Sequence, residues 1–135
     1  RRQRQMCIRD RECTAKRNVT NTPGQALALL NDPIFVEAAR VLATEICREP
    51  KLSDAERVEL AFRRTLQRPP STSETNVLTR LVSGQRNYYH DHPHEAEALT
   101  QVGQAPLTGG QAPEIAAWTA VTRTVLNLHE FLNRP

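Results

Sequence analysis

Three polar residues of this sequence could form an active site: Asp32, Asn127 and Glu130. Two carboxylates such as Asp32 and Glu130 can act as general acid and base, provided that a cleft holds them and shifts their pKa values. The sequence shows neither condition. A structural role competes, because Asp32 stands directly before Pro33 as a helix N-cap does, and Asn127 and Glu130 could bond to the backbone of that bend. We favour the structural role for all three residues.

A second set of candidate ligands is the run HDHPH, which brings His90, His92 and His94 within five residues. Imidazole is the commonest metal ligand in proteins, so a metal site is one interpretation of this run. However, alternate spacing suits a strand, and this run precedes a proline at the end of a helical pattern. We therefore favour a solvated loop. With no CxxC, CxxCH or glycine-rich phosphate loop in the chain, we expect no metal and no cofactor in this stretch.

The positive charge is concentrated at one end of the chain. Residues 1–17 hold seven basic and two acidic side chains, a net +5, and the rest holds eleven basic against thirteen acidic, a net −2. Nucleic-acid binding would have to lie in this basic tract. The run RQMCIRDR resembles translated adapter sequence from assembled environmental DNA. We expect residues 1–17 to be a non-native or disordered tract, residues 18–135 to be the domain, and nucleic acid not to be a partner. The alternative is a basic arm that binds nucleic acid.

The rest of the chain has the pattern of helices. Aromatic residues make up 4% of the chain, so Leu, Val, Ile and Ala must form the core. Helix starts are predicted at Thr22-Pro23, at Asn31-Asp32-Pro33, at Ser53 with Glu56 in a capping box, and near Ser71. Asn31 can close the preceding helix. No apolar run approaches the ~20 residues that a membrane helix needs. The sequence predicts an all-α fold, a compact bundle of five to six helices with orthogonal or irregular packing.

Apolar residues at helical spacing predict which faces are buried. In the helix after Pro33 they are Phe35, Ala38, Ala39, Leu42 and Ile46, and Glu37, Arg40, Glu45 and Arg48 are expected on the opposite, solvent-facing side. In the last helix Trp118 is expected in the core. Arg68, before Pro69-Pro70, is expected to cap a helix or to pair with an acid.

Three separated stretches resemble one family. They are TNTPGQALALLNDPIFVEAARVLA from Thr20, AFRRTLQRPPSTSE from Ala61 and AAWTAVTRTVLNLHEFLNRP from Ala116. In this order they resemble the C-terminal part of the planctomycete-specific family DUF1553, a domain of unknown function. The motif residues that carry the likeness are Thr22, Pro23, Asn31, Asp32, Pro33, Arg68, Pro69, Trp118, Asn127 and Phe131. Two positions depart from the pattern: Gly24 replaces an apolar residue, and His129 replaces a common Asp.

The resemblance implies a setting rather than a reaction. Members are large, exported bacterial proteins that often carry a c-type-cytochrome-like domain, so haem c is expected in another part of the parent protein. We expect this chain to be a non-catalytic helical module that packs on upstream domains of the same polypeptide. The alternative is that Asp32, Asn127 or Glu130 contributes to a hydrolase-like, carbohydrate-related site shared with those domains.

Overall fold

The computed structural model describes residues 27, 28, 30–106 and 110–132. Within them lie six helices: α1 (Pro33–Cys47), α2 (Asp54–Thr65), α3 (Thr72–Asp91), α4 (Pro93–Thr100), α5 (Ala112–Leu126) and α6 (His129–Leu132). No strand occurs among these residues, so the predicted all-α fold is confirmed. The basic tract of residues 1–17 and the predicted start at Thr22-Pro23 lie outside the described residues.

Side-chain caps fix where the first three helices begin. Oδ1 of Asp32 accepts hydrogen bonds from the amides of Ile34 (2.8 Å) and Phe35 (3.4 Å), and Pro33 takes the first helical position. Ser53 and Glu56 form the predicted capping box at the start of α2. Of the three candidates for α3, Ser71 is the cap, and Glu74 completes a second capping box. Each box satisfies amides that the first helical turn leaves without partners.

Helix α5 is the centre of the bundle and contacts the other five described helices. Residues 115–119 are buried without a break, so solvent reaches neither side of this part of the helix. Trp118 lies in the main core cluster, which is built from α1, α2, α3 and α5 and comprises Ala43, Ile46, Val58, Ala61, Phe62, Leu78, Val82, Trp118, Val121 and Val125. The other described helices thus pack around α5, and this helix-on-helix arrangement buries their apolar faces.

Buried threonines in α5 are satisfied within the helix. The hydroxyl of Thr119 donates to the carbonyl of Ile115 at 2.7 Å. That of Thr122 reaches the carbonyl of Trp118 at 3.0 Å and, across the helix interface, the carbonyl of Ala39 in α1 at 2.8 Å. Bonds of this kind let β-branched residues with hydroxyls remain in a buried helix. These hydrogen bonds explain why residues 119–126, TAVTRTVL, are helical although β-branched residue types favour strands.

The buried face of α1 differs from the predicted one. Val36, Ala39, Arg40, Ala43, Thr44 and Ile46 are buried, whereas Ala38 is exposed and Phe35 and Leu42 are only partly covered. The prediction that Arg40 faces solvent is wrong: the residue is 1% exposed. The buried face of α1 is therefore shifted by about one residue relative to the predicted face. Arg40 can be part of it because buried backbone carbonyls, rather than water, accept its hydrogen bonds.

Arg40 and Glu37 hold the loop between α4 and α5. The Arg40 guanidinium donates to the carbonyls of Val102 (2.9 Å) and Ala105 (2.6 Å). The Glu37 carboxylate accepts from the amides of Gln104 (2.7 Å) and Ala105 (2.8 Å). The side chains of Arg40 and Glu37 thus provide hydrogen-bond partners for backbone carbonyls and amides of this loop, which have no partners in regular secondary structure.

Two other boundaries differ from the sequence prediction. Helix α3 continues through His90 and Asp91, and α4 begins at Pro93, so the HDHPH run is helical on both sides of His92 rather than a loop. The sequence pattern predicts a last helix that continues through Leu128 towards Leu132, whereas the helix ends at Leu126 and the short α6 follows from His129. Within the described residues, none of the helices combines the length and the apolarity needed to cross a bilayer.

Two glycines provide a matched test of this fold. Gly84 lies inside α3 with open space where a Cβ would be, so Gly84→Ala should raise the free energy of unfolding by about 0.5–1 kcal/mol. Gly103 has φ of 91°, and a Cβ there would collide with the Glu37 carboxylate, so Gly103→Ala should lower it by about 1–2 kcal/mol. Urea denaturation of both variants measures these changes. If both substitutions changed the free energy of unfolding by the same amount, the described loop conformation at Gly103 would be contradicted.

Candidate functional site

Arg68 is the centre of a polar cluster at one end of the bundle. Its guanidinium donates in a bidentate fashion to Glu74 of α3, at 2.8 and 3.1 Å. The same group reaches Glu130 of α6, with the shortest bonds at 2.9 Å. The guanidinium carbon also lies 5.2 Å from the centre of the Phe62 ring. Arg68 therefore joins the end of α2, the start of α3 and α6.

The ion pair between Arg68 and Glu74 stabilises the charged forms of both side chains. The hydrogen bond from Arg68 is the largest cause that lowers the pKa of Glu74 to about 2, and the Ser71 amide adds to it. In turn Glu74 and Glu130 raise the pKa of the Arg68 guanidinium. A general acid or base works best when its pKa lies near the working pH. Glu74 is therefore unsuited to proton transfer near neutrality.

Glu114 is the centre of a second cluster, at the start of α5. Its carboxylate accepts from Arg86 of α3 at 2.7 and 2.8 Å, from Arg57 of α2 at 3.3 Å and from the Trp118 indole at 3.0 Å. Arg86 also makes a bidentate contact with Asp54 of α2, at 3.0 and 3.1 Å. The Glu114 cluster thus links three helices through two arginines and two carboxylates.

In this second cluster the contact between Arg86 and Glu114 stabilises the charged forms of both side chains. The hydrogen bond from Arg86 is the main cause that lowers the pKa of Glu114, against the opposing effect of its burial. Nearby, burial raises the pKa of the Cys47 thiol to about 11. A thiol needs its thiolate form to act as a nucleophile, so Cys47 is poorly suited to nucleophilic chemistry at neutral pH.

The three candidate catalytic residues have different contacts. The Asp32 carboxylate accepts from the first amides of α1. Glu130 is bound to Arg68. Asn127 is the C-terminal cap position of α5, and its side-chain oxygen is buried with no hydrogen-bond donor among the described residues. At the Asn31-Asp32 bend Arg123 donates to the carbonyl of Leu30, and the described residues include no bond from Asn127 to that bend.

The three histidines are spread over a helix junction. His90 is exposed near the end of α3, where its Nδ1 lies 3.5 Å from the Asp91 carboxylate. His92 stacks on Tyr88 with ring centres 4.4 Å apart, and its Nδ1 lies 2.9 Å from the Tyr88 carbonyl. His94 is exposed in the first turn of α4. Among the described residues, no three His, Cys, Asp or Glu side chains form a group that could hold a metal ion.

The remaining motif residues have structural contacts. Nδ2 of Asn31 donates to the carbonyl of Leu27 at 3.1 Å, one helical turn earlier. Trp118 is fully buried. Pro69 is exposed, and its carbonyl accepts from Arg68 at 3.1 Å. Phe131 of α6 is partly buried.

Sequence reasoning missed the residues that join the helices most extensively: Arg40, Arg86 and Glu114. The sequence pattern places Glu114 only at the start of the last helix, after Pro113. For Arg40 a signal existed, since Val36, Ala39 and Ala43 surround it at helical spacing and form an apolar face interrupted by one charge. Arg86 offered none, because its partners are 28 and 32 residues away in sequence.

Two apolar surfaces remain open in the described structure. The α1 stripe, which consists of Ile34, Ala38 and Val41, runs along the outside of α1; Ile34 is 75% exposed. A hollow of about 200 Å³ beside it is lined by Val41, Thr44, Glu45, Arg48, Ala105 and Pro106. The α3–α5 groove, of about 270 Å³, lies on another face and is lined by Phe62, Ser73, Glu74, Val77, Leu78, Thr124, Val125 and Leu128.

A family model matches residues 6–82, which is more than half of the chain, and its description is PSD1, Protein of unknown function (DUF1553). The predicted likeness to DUF1553 is confirmed. Comparison with curated proteins and with solved structures gives no match. The planctomycete origin, the exported location and a haem c elsewhere in the parent protein stay predictions.

Acid titration tests the Arg68 cluster. Because the folded state lowers the pKa of Glu74 to about 2, its ionised form stabilises the fold above the ordinary pKa of 4.5, and this contribution is lost as the pH falls from about 4.5 to about 2. Glu74→Gln should therefore cost about 1 kcal/mol at pH 7 and flatten the decline of stability over that range. Glu97, exposed and without a side-chain hydrogen bond among the described residues, supplies the control Glu97→Gln. If stability declined with falling pH in the same way in both variants, the described contact between Arg68 and Glu74 would be contradicted.

Proposed function

Because this chain belongs to the PSD1 family, described as a protein of unknown function (DUF1553), we propose that it is a non-catalytic helical module of a larger polypeptide. The module packs on upstream domains of that polypeptide through the α1 stripe and the hollow beside it. The observation that carries the proposal is the exposure of a large aliphatic residue, Ile34, at the first turn of α1.

The α1 stripe has the spacing of a helix-packing surface. Ile34, Ala38 and Val41 are separated by four and then three residues, which places them on one side of the helix. Ala38 at the centre is small, so a partner backbone can approach closely, and the hollow beside Val41 can receive an apolar side chain. Exposed apolar surface of this kind is a recognised mark of an interface.

The position of the stripe favours a partner in the same polypeptide. Ile34 follows directly on the segment that enters α1 from the N-terminal side, and Leu27 in that segment is itself 61% exposed. A tethered partner has a high effective concentration, so a small surface suffices to hold it. The family model matches residues before and after the start of α1, which supports the view that α1 and the segment preceding it belong to one structural unit.

The polar groups support a packing role rather than catalysis. In both clusters each carboxylate is bound to an arginine, and these hydrogen bonds lower the pKa values of Glu74 and Glu114 and so stabilise their charged forms. Arginine cannot release a proton at physiological pH. Such groups tie helices together, and they leave the apolar stripe as the feature that needs a partner.

Substitution of Ile34 tests this proposal. In the full-length polypeptide Ile34→Glu should lower the free energy of unfolding of the module by about 2 kcal/mol, because it buries an unpaired carboxylate in the interface. In the present 135-residue chain the same change should alter stability by less than about 0.5 kcal/mol, because the position is exposed. Thermal unfolding of both proteins measures the difference.

The control for this experiment is Ala98→Glu, which places the same charge at an exposed position of α4. It should be neutral in both proteins. The proposal is wrong if Ile34→Glu is also neutral in the full-length polypeptide. It is equally wrong if the substitution destabilises the isolated chain by the same amount, because the stripe would then be covered within this chain.

A further inference from the structure

A small cavity lies where the segment that enters α1 meets the end of α5. Its volume is about 10 Å³, and it is lined by Leu30, Phe35, Arg123, Leu126 and Asn127. Two of these residues carry a buried polar atom that has no hydrogen-bond partner among the described residues: Nε of Arg123 and Oδ1 of Asn127. A buried donor and a buried acceptor without partners destabilise a fold, and native proteins nearly always pair them.

The backbone and one further bond bring these two atoms to the same place. The amide of Asn127 donates to the carbonyl of Arg123 at 3.1 Å, so helical spacing holds through Asn127, and residues four apart in a helix have Cβ atoms about 5–6 Å apart. Nη2 of Arg123 donates to the carbonyl of Leu30. Because a guanidinium is planar, this bond also sets the direction of the Nε–H. Both residues line one cavity, yet Nε and Oδ1 are not bonded to each other.

We propose that this cavity binds one water molecule, which accepts a hydrogen bond from Nε of Arg123 and donates one to Oδ1 of Asn127. A buried water needs about 10–15 Å³ and two to four polar partners, and the cavity reaches the lower limit of both. Two hydrogen bonds of about 2.8 Å through one water span the separation of the two side chains. The site goes beyond the proposed function, because it lies inside the module and needs no partner polypeptide.

The chemistry of the two polar atoms selects water over other small occupants. The permanent positive charge of Arg123 repels a cation, and the side-chain oxygen of Asn127 repels an anion. An apolar group would leave both atoms without a partner. Water accepts and donates at once, and a bridging water is nearly as favourable as a direct hydrogen bond. An organic substrate does not fit into about 10 Å³, so this site gives Asn127 a structural role.

The bridge joins two motif stretches that are far apart in the sequence. It runs from Asn127 through the water to Arg123, and from Arg123 to the carbonyl of Leu30, directly before the Asn31-Asp32 bend. The contact predicted between Asn127 and this bend is then indirect. The bridge holds the start of α1 against the end of α5.

NMR contacts between water and the Nε–H of Arg123 test the site in the isotope-labelled 135-residue chain. In a rotating-frame experiment a direct contact with bound water and an exchange of the proton with solvent give cross-peaks of opposite sign. We expect the direct-contact signal in the unsubstituted chain. Asn127→Leu keeps the shape of the side chain but removes the acceptor, so this signal should be lost. The control Asn87→Leu, the same change at an exposed position of α3, should retain it.

A crystal structure of the unsubstituted chain supplies a second measurement that needs no variant. We expect electron density for one water within about 3.2 Å of both Nε of Arg123 and Oδ1 of Asn127. The proposal is overturned by an unsubstituted chain that gives no direct-contact signal, by density that shows Nε bonded directly to Oδ1, or by a signal that persists in Asn127→Leu.

Discussion

The structure depends on the burial of α5. Five consecutive residues, 115–119, are buried, and a helix buried on every side must be surrounded by other helices. The chain has few aromatic side chains with which to fill space, so α5 is covered by close packing of small and β-branched residues from α1 and α3. Trp118 is the exception, since its large ring fills the region where α2, α3 and α5 meet. Helices α1, α3 and α4 have their most extensive contacts with α5, and α2 packs chiefly on α3.

A buried helix restricts where charge can be placed, and this accounts for the two clusters. Glu114 stands in the first turn of α5, where a carboxylate complements the helix dipole and where partly exposed arginines can reach it. Arg86 and Arg57 then tie α3 and α2 to that turn. At the opposite end of the helix α6 contributes Glu130, and Arg68 ties it to α3. Surface ion pairs contribute little singly, but each of these connects helices that the core has already brought together.

The sequence was informative where the cause of a structural feature is local. Ser53 with Glu56 and Asp32 before Pro33 mark helix starts because the bonds they make span three residues or fewer. It failed where the cause lies far along the chain. Arg40 appeared to belong to the solvent face because charge normally seeks water, yet its acceptors are carbonyls 62 and 65 residues away. Arg86 and Glu130 are hidden for the same reason. The partners of Arg86 are 28 and 32 residues away, and Arg68, the partner of Glu130, is 62 residues away. Charged side chains whose partners lie on another helix cannot be placed from periodicity alone.

The distribution of satisfied and unsatisfied groups bears on what the molecule is for. An enzyme site usually keeps polar groups with shifted pKa values in a cleft, in a direction that suits proton transfer. Here the shifts of Glu74 and Glu114 stabilise charge, and arginines occupy the carboxylates. Large aliphatic side chains stay exposed on two helix faces of the described residues: Ile34 on α1 and Val77 on α3. Covering apolar surface gains free energy in proportion to its area, whereas a saturated ion pair gains little from a new partner. This contrast favours the proposed packing through an exposed apolar face over catalysis by the ion-pair clusters.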